Sequence, residues 1–285
     1  MSIQWYPGHM TKARKAMAEA MPSQDVVIEV LDARMPLASE NPIVTELRRQ
    51  KPCIKVLSKS DLADPETTQA WLAYFERART EPSKDRPEGK VLAIAIRTDK
   101  PGEIKTRIPQ LCKRLALHPS GPGKTVRAMI VGIPNVGKST LINTLMERKV
   151  AKVGDEPAVT KSRQLVTLKN GMTIADTPGI LWPKIEDSEA SLRLALGGAI
   201  PDTAIDYESV ALFGAKYLLE RYPSLLRARY KITDLPAGAS ELLMEIGRRR
   251  GGLRSGGVID IHKAADVLIH DVRSGALGRI TFEAP

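Results

Sequence analysis

The chain has 285 residues, 43 Lys/Arg against 33 Asp/Glu, a net charge of +10 and only two cysteines. That length buries a good core, so one large domain with a smaller partner, or two domains, is expected to fold unaided. The absence of an 18-residue apolar run excludes a membrane-spanning helix, and "MSIQWYPGHMTKARK" lacks the apolar core of a signal peptide because its basic residues follow its apolar ones, so a cytoplasmic protein with no membrane association is expected.

The positive charge is unevenly placed. Residues 1–185 hold 30 basic and 19 acidic side chains, a balance of +11, whereas residues 186–285 hold 13 and 14, a balance of −1. Within the second part "GRRRGGLR" (Gly247 to Arg254) gathers four arginines without an acid. Such charge suits a polyanionic partner, and equally a solvated surface. Cys53 and Cys112 have neither CxxC spacing nor a nearby histidine, so buried, reduced thiols are expected and no cysteine metal site.

In chain order, His9 falls in a Pro-Gly turn ahead of a helix that Thr11 is placed to cap. That helix carries Ala13, Ala16, Met17, Ala20 and Met21 on one face, with Lys12, Arg14 and Lys15 elsewhere. "DVVIEVLDA", "CIKVLSK", "VLAIAI" and "RAMIVGI" then read as buried parallel strands, short and β-branched. Amphipathic helices such as "NPIVTELRRQ" and "EIKTRIPQLCKRLAL" lie between them, the alternation of an α/β sheet domain. "TEPSKDRPEGK" and "HPSGPGKT" are loops, dense in Pro, Gly and charge. "RQLVTLKNGMTIADTPG" is a hairpin turning at Asn170-Gly171. After about residue 185 only helical patterns remain, each ending near Gly or Pro, and a compact bundle of about four helices is expected there. His118, His262 and His270 fall in loops or on helix surfaces.

"GIPNVGKS" satisfies G-x-x-x-x-G-K-[ST], with Gly132, Gly137, Lys138 and Ser139 at the required positions and a strand before and a helix after it. The glycines free the backbone N–H groups, with those of Asn135, Val136 and Thr140, to wrap phosphates; Lys138 neutralises the β/γ oxygens, and Ser139 offers a hydroxyl to Mg²⁺. Downstream, "ADTPG" puts Asp176 at a strand end, where its carboxylate suits the Mg²⁺ shell and Gly179 can offer an N–H to a γ-phosphate. Thr160, in "PAVTKS", is the candidate threonine that closes over Mg²⁺. Upstream, "VLSKSD" ends a strand and is similar to the guanine-reading N-K-x-D, with Ser58 in place of Asn. Asp61 can accept from guanine N1–H and its exocyclic amine, and Lys59 can lay its stem over the base. A helix-capping serine or aspartate explains the same residues.

Taken together the order is base reader (58–61), phosphate loop (132–139), threonine (160), Mg²⁺ aspartate (176). In an ordinary GTPase the base reader comes last. The chain therefore reads as a circularly permuted P-loop GTPase domain over 1–185, a mostly parallel α/β sheet flanked by helices. Its base-reading half is 1–117, its linker 118–125 and its phosphate and Mg²⁺ half 126–185, with a small all-α bundle over 186–285.

"WYPGHMTKARK", "DARMPLASENP", "GIPNVGKST", "DTPGILWPK" and the helical end together resemble the ribosome biogenesis GTPase A group, YlqF-like circularly permuted GTPases, over essentially the whole chain. The resemblance implies GTP hydrolysis coupled to late assembly of the large (50S) ribosomal subunit, GTP/GDP with Mg²⁺ as ligands, rRNA as partner through the helical domain, and a monomer. Ile180 follows "DTPG", where many GTPases carry a water-orienting Gln. The resemblance offers two substitutes, Asn135 as a K⁺ ligand and His9 acting on the attacking water. Two departures remain: Ser58 for Asn, and "AIAIRT" without the Ser-Ala that supports the guanine carbonyl, each lost hydrogen bond costing about 1 kcal/mol. An rRNA-binding scaffold that binds guanine nucleotide with little turnover is the alternative; an ATP-dependent kinase is disfavoured by "SKSD".

Overall fold

The computed structural model describes residues 8–77, 89–119, 122–147, 164–182, 185, 187–252 and 258–285. The first half contributes α1 (Gly8–Ala20), β1 (Val26–Asp32), α2 (Pro42–Arg48), β2 (Cys53–Ser58), α3 (Pro65–Arg77), β3 (Val91–Ala95) and α4 (Pro101–Leu115). The second adds β4 (Arg127–Val131), α5 (Lys138–Met146), β5 (Gln164–Thr167) and β6 (Thr173–Asp176). Every residue of β1 and β2 is buried, which is why both read as unbroken apolar runs rather than alternating ones.

The six strands form one sheet in the order β3-β2-β1-β4-β6-β5, all parallel except β5, which runs antiparallel to β6. The two halves meet at its centre, where Val26 to Glu29 of β1 pair with Ala128 to Val131 of β4. From that seam successive strands wind outward in opposite directions, β1 to β3 one way and β4 to β5 the other. Ligands of open α/β sheets bind at such a switch point, beyond the carboxyl ends of the strands.

Three local readings are revised. The first helix begins at Gly8, so His9 lies in its first turn and Thr11 is inside the helix rather than its cap. The hairpin closes at Leu168 and Met172, whose N–H and C=O bond at 2.8 Å, around Lys169, Asn170 and Gly171, with only Gly171 at positive φ (82°). It is a three-residue turn, not a two-residue Asn-Gly turn. The helical end contains five helices among the described residues, α6 (Ser188–Leu196), α7 (Tyr207–Arg221), α8 (Pro223–Tyr230), α9 (Ala239–Arg249) and α10 (Ile261–Ser274), instead of four. Pro223 ends one apolar pattern but, needing no N–H at a first helical position, also starts α8.

These helices share one continuous buried core with the sheet, running from Met10 on α1 to Phe282. Met17 and Ala20 of α1 are buried in it as their spacing predicts, while Lys12 and Lys15 are exposed and Arg14 pairs with Glu46 at 3.2 Å. Cys53 and Cys112 are both buried, and burial pushes their thiols up to about 11 and about 12. After α10 the chain returns across the first half. Ile280 N–H donates to Leu62 O (2.9 Å) and Phe282 N–H to Arg34 O (2.7 Å).

Beneath the carboxyl ends lies a buried ionic cluster. Lys55 Nζ sits 2.5 Å from Glu29 Oε2 and 2.6 Å from Glu40 Oε1, while Glu29 Oε1 accepts from Asn41 N–H at 3.1 Å. Burial raises the Glu29 carboxyl despite Lys55, and it would lower Lys55 were the two glutamates not holding its ammonium charged. Lys55→Met strands a fully buried carboxylate and is expected to cost about 3–5 kcal/mol in urea unfolding, with Glu29→Gln in the same chain recovering most of it. An unchanged unfolding midpoint for the single variant would show that the cluster contributes nothing.

Candidate functional site

Five parallel strands end on one side of the sheet and deliver Asp32, Ser58, Ala95, Val131 and Asp176 to it. At the end of β4 the chain enters the loop Gly132–Gly137 before α5. Gly132 adopts φ 148°, and a Cβ there would lie 2.5 Å from Val30 O, so only glycine lets the loop cross β1 this closely. Gly137, at φ 95°, stands at the N-cap of α5 without a side-chain cap bond. The first turn of α5 thus presents the helix dipole, and N–H groups of the kind that bind an anion, to the end of β4. Ser139 and Thr140 occupy that first turn, both partly buried.

Lys138 is buried and donates to Ile133 O at 2.7 Å. Burial pushes its ammonium down to about 8; the Asp176 carboxylate opposes that fall and Lys59 adds to it. Asp176 is 1% exposed, and neither carboxylate oxygen makes a well-formed hydrogen bond. Burial pushes it up to about 6, with Lys138 and the Thr177 N–H tempering the rise. Two uncompensated buried acceptors at a strand end fit a hydrated divalent cation, the donor chemistry that Mg²⁺ requires. Gly179 packs on the loop so closely that a Cβ would meet Pro134 N at 2.8 Å and Lys138 Nζ at 3.0 Å.

Across the seam, Ser58 reaches the phosphate loop directly. Its single hydroxyl proton is shared between Leu31 O (2.9 Å) and Val136 O (2.5 Å). Lys59 takes φ 54° and sets its ammonium 3.0 Å from Asp32 Oδ2, which fixes the stem of the side chain. Asp32 is also gripped by Arg34 through Nε and Nη2 at 2.9 and 2.8 Å. Burial would raise the Asp32 carboxyl, yet Arg34 and Lys59 together hold it well below the usual carboxylate range. Asp61 is partly buried; its Oδ1 has no partner, and Oδ2 is 3.5 Å from Thr98 Oγ1. Ser58, three residues before Asp61, thus ties the strand end that carries Asp61 to the phosphate loop.

Residues 127–205 match the family model described as 50S ribosome-binding GTPase. A ribosome biogenesis GTPase A of Bacillus pumilus is 44% identical over 286 residues, covering 100% of this chain and 99% of that one. The chain belongs to the ribosome biogenesis GTPase A family. Its Thermotoga maritima relative is 32% identical over 99% of this chain and 95% of its own, and a mouse mitochondrial ribosome-associated GTPase 1 is 37% identical over 76% and 67%. The structure of GNP-bound YlqF from T. maritima superposes with a TM-score of 0.63 at 30% identity, covering 96% of this chain and 98% of that one. The permuted P-loop fold with a helical end is therefore that of the family.

Within this ribosome biogenesis GTPase A frame the structure gathers Ser58, Lys59, Asp61, Gly132, Asn135, Val136, Gly137, Lys138, Ser139, Thr140, Asp176 and Gly179 around the two sides of the seam. Asn135, at φ 58°, donates from Nδ2 to Gly198 O in the turn after α6 (2.8 Å), so the loop is tied to the helical end. Thr160 and the His9 side chain lie outside the described residues. Ile180 is fully buried and its C=O accepts from Asn41 Nδ2 at 2.6 Å. Asp32, Arg34 and Asn41 were assigned no role from the sequence. Their signal was chemical: "DAR" places charge at the end of an apolar strand, and "SENP" is a helix start, yet neither names a distant partner.

Because burial raises Asp176 above its ordinary value, its neutral form is favoured by the fold, and stability is lost as pH rises from about 4 through about 6. In metal- and nucleotide-free protein, Asp176→Asn escapes that loss. The melting curves of variant and wild type should diverge between pH 4 and 7 until the variant leads by about 2–3 kcal/mol. A difference independent of pH would refute the burial argument.

Proposed function

We propose that this chain binds and hydrolyses GTP as an assembly factor in late maturation of the large (50S) ribosomal subunit, with nucleotide state governing binding and release. The observation that carries the reading is the pairing of an unpartnered Asp61 acceptor with a P-loop and a buried, unpartnered Asp176 across one β1–β4 seam. Asp61 accepts from guanine N1–H and the exocyclic amine, and Lys59, steered by Asp32, covers the base. The N-terminal turn of α5 and Lys138 hold the phosphates, and Gly179 approaches closely enough to offer its N–H to the γ-phosphate. Ser139, Thr160 and Asp176 would hold Mg²⁺, which when bound supplies charge neutralisation between the β- and γ-phosphates.

Ile180 is apolar and buried, so it orients no water. The catalytic contribution is assigned to Asn135, as ligand to a K⁺ that offsets transition-state charge, to Lys138, and to His9 acting on the water. Residues 1–185 form the GTPase unit in this reading, and 186–285 the rRNA-binding unit, with the surface arginines Arg248 and Arg249 among its phosphate contacts. Among the described residues no helix is long and apolar enough to cross a membrane; in this reading the chain acts in the cytoplasm as a monomer. The buried Ile180 favours one further reading, a scaffold that binds GTP and turns it over little.

Turnover separates the two. GTP hydrolysis should be slow alone, rise at least tenfold with large ribosomal subunits, and be faster in K⁺ than in Na⁺ of equal ionic strength. Equal, near-zero rates in all four conditions would leave the scaffold.

A further inference from the structure

The loop that carries Asp61 is held from outside the sheet by the end of the chain. Arg279 Nη2 donates to Ser60 O (3.0 Å) and its Nε to Ala63 O (2.8 Å), so one planar guanidinium bridges the carbonyls on either side of Asp61. Ile280 N–H donates to Leu62 O at 2.9 Å, and Asp64 N–H donates to Thr281 Oγ1 at 3.1 Å. Residues 60 to 64 are thus stitched at four points to three consecutive residues of the tail. The tail itself is fixed to the helical end: Tyr217 and Tyr222 hydroxyls donate to Thr281 O at 3.0 and 3.1 Å, and Phe282 and Ile280 are buried. Gly275, the αL cap of α10 at φ 78°, presses on the same loop, where a Cβ would come 2.6 Å from Leu62 Cδ2.

Among the described residues no short hydrogen bond fixes the aim of Asp61: Thr98 Oγ1 lies 3.5 Å from its Oδ2, Arg34 and Arg97 act on it through charge, and Lys59 before it sits in the left-handed region. The direction of its carboxylate is therefore set by the backbone on which it rides. We propose that Arg279 is a positioning residue for base recognition, holding the Ser60–Ala63 segment so that Asp61 meets the guanine N1–H and amine edge. This inference rests on the assignment of Asp61 as the guanine acceptor. The helical end thereby takes part in nucleotide specificity, although it supplies no atom to the base.

The side chain of Arg279 is exposed, so its removal leaves the core filled. The test compares GDP with IDP, which lacks the exocyclic amine, by calorimetric titration of the full chain. Wild type should prefer GDP by about tenfold, and Arg279→Ala should shrink that ratio by about threefold or more, IDP losing less than GDP because it offers Asp61 only the N1–H and no amine. Arg279→Lys, a point charge that can serve only one carbonyl at a time, should restore part of it. A merely structural role would weaken both nucleotides alike or lower only the melting temperature, and that overturns the inference. If wild type prefers GDP, loses the preference in Asp61→Ala, and keeps it in Arg279→Ala, the inference alone fails. If wild type shows no preference and Asp61→Ala changes nothing, the reading of Asp61 fails and this inference with it.

Discussion

The parallel pairing of β1 with β4 is the constraint on which everything else rests. It joins two stretches about a hundred residues apart in sequence, and with the β1–β2 pairing it puts the loop after β2, the proposed base reader, on the same side of the sheet as the phosphate loop after β4. Backbone hydrogen bonds at a sheet centre tolerate little displacement, because both faces are buried and a slip by one residue would exchange the two faces. A permuted connection changes the order in which the strands are made, not the register in which they meet. The placement of the two loops survives because it depends on that register.

On that seam a small set of polar contacts converts proximity into a single rigid site. Ser58 ties the base reader to Val136, Asp32 steers Lys59, and Asn41 links the helix start after β1 to Ile180 beyond Asp176. Ser58 is the residue that departs from the usual Asn. Its hydroxyl reaches the phosphate loop at Val136 O, and in the proposed reading a shorter side chain gives up reach toward the base. Asn135 and Gly198, Arg34 and Val272, and the tail after α10 extend the same network into the helices. The phosphate loop and the loop after β1 are thus each bonded directly to the helical end.

Legibility in the sequence followed the range of the interaction. The P-loop was plain because its glycines, lysine and serine act within eight residues, and the strand–loop–helix context could be checked locally. "SKSD" was ambiguous alone, since a capping residue looks the same; only the order of the pieces gave it meaning. Asn41 and Arg279 are illegible as site residues because their partners lie 139 and 219 positions away, distances at which composition and periodicity carry no signal. Helix α8 is hard to read in the sequence because proline marks a start as readily as a stop, and the length of the hairpin turn follows from the pairing of Thr167 with Thr173 across β5 and β6.

The central claim is that one guanine nucleotide spans the seam, read at Asp61 and held at the P-loop. The most direct measurement is the base preference of Asp61→Asn. An amide at this position can donate to the C2 carbonyl of xanthine and loses the charge that suits the guanine amine. The account predicts that the variant binds XDP at least tenfold more tightly than GDP, reversing the wild-type order, while the melting temperature of the free protein stays close to wild type. Unchanged affinities for both nucleotides would contradict it, for the base would then lie somewhere other than beside Asp61.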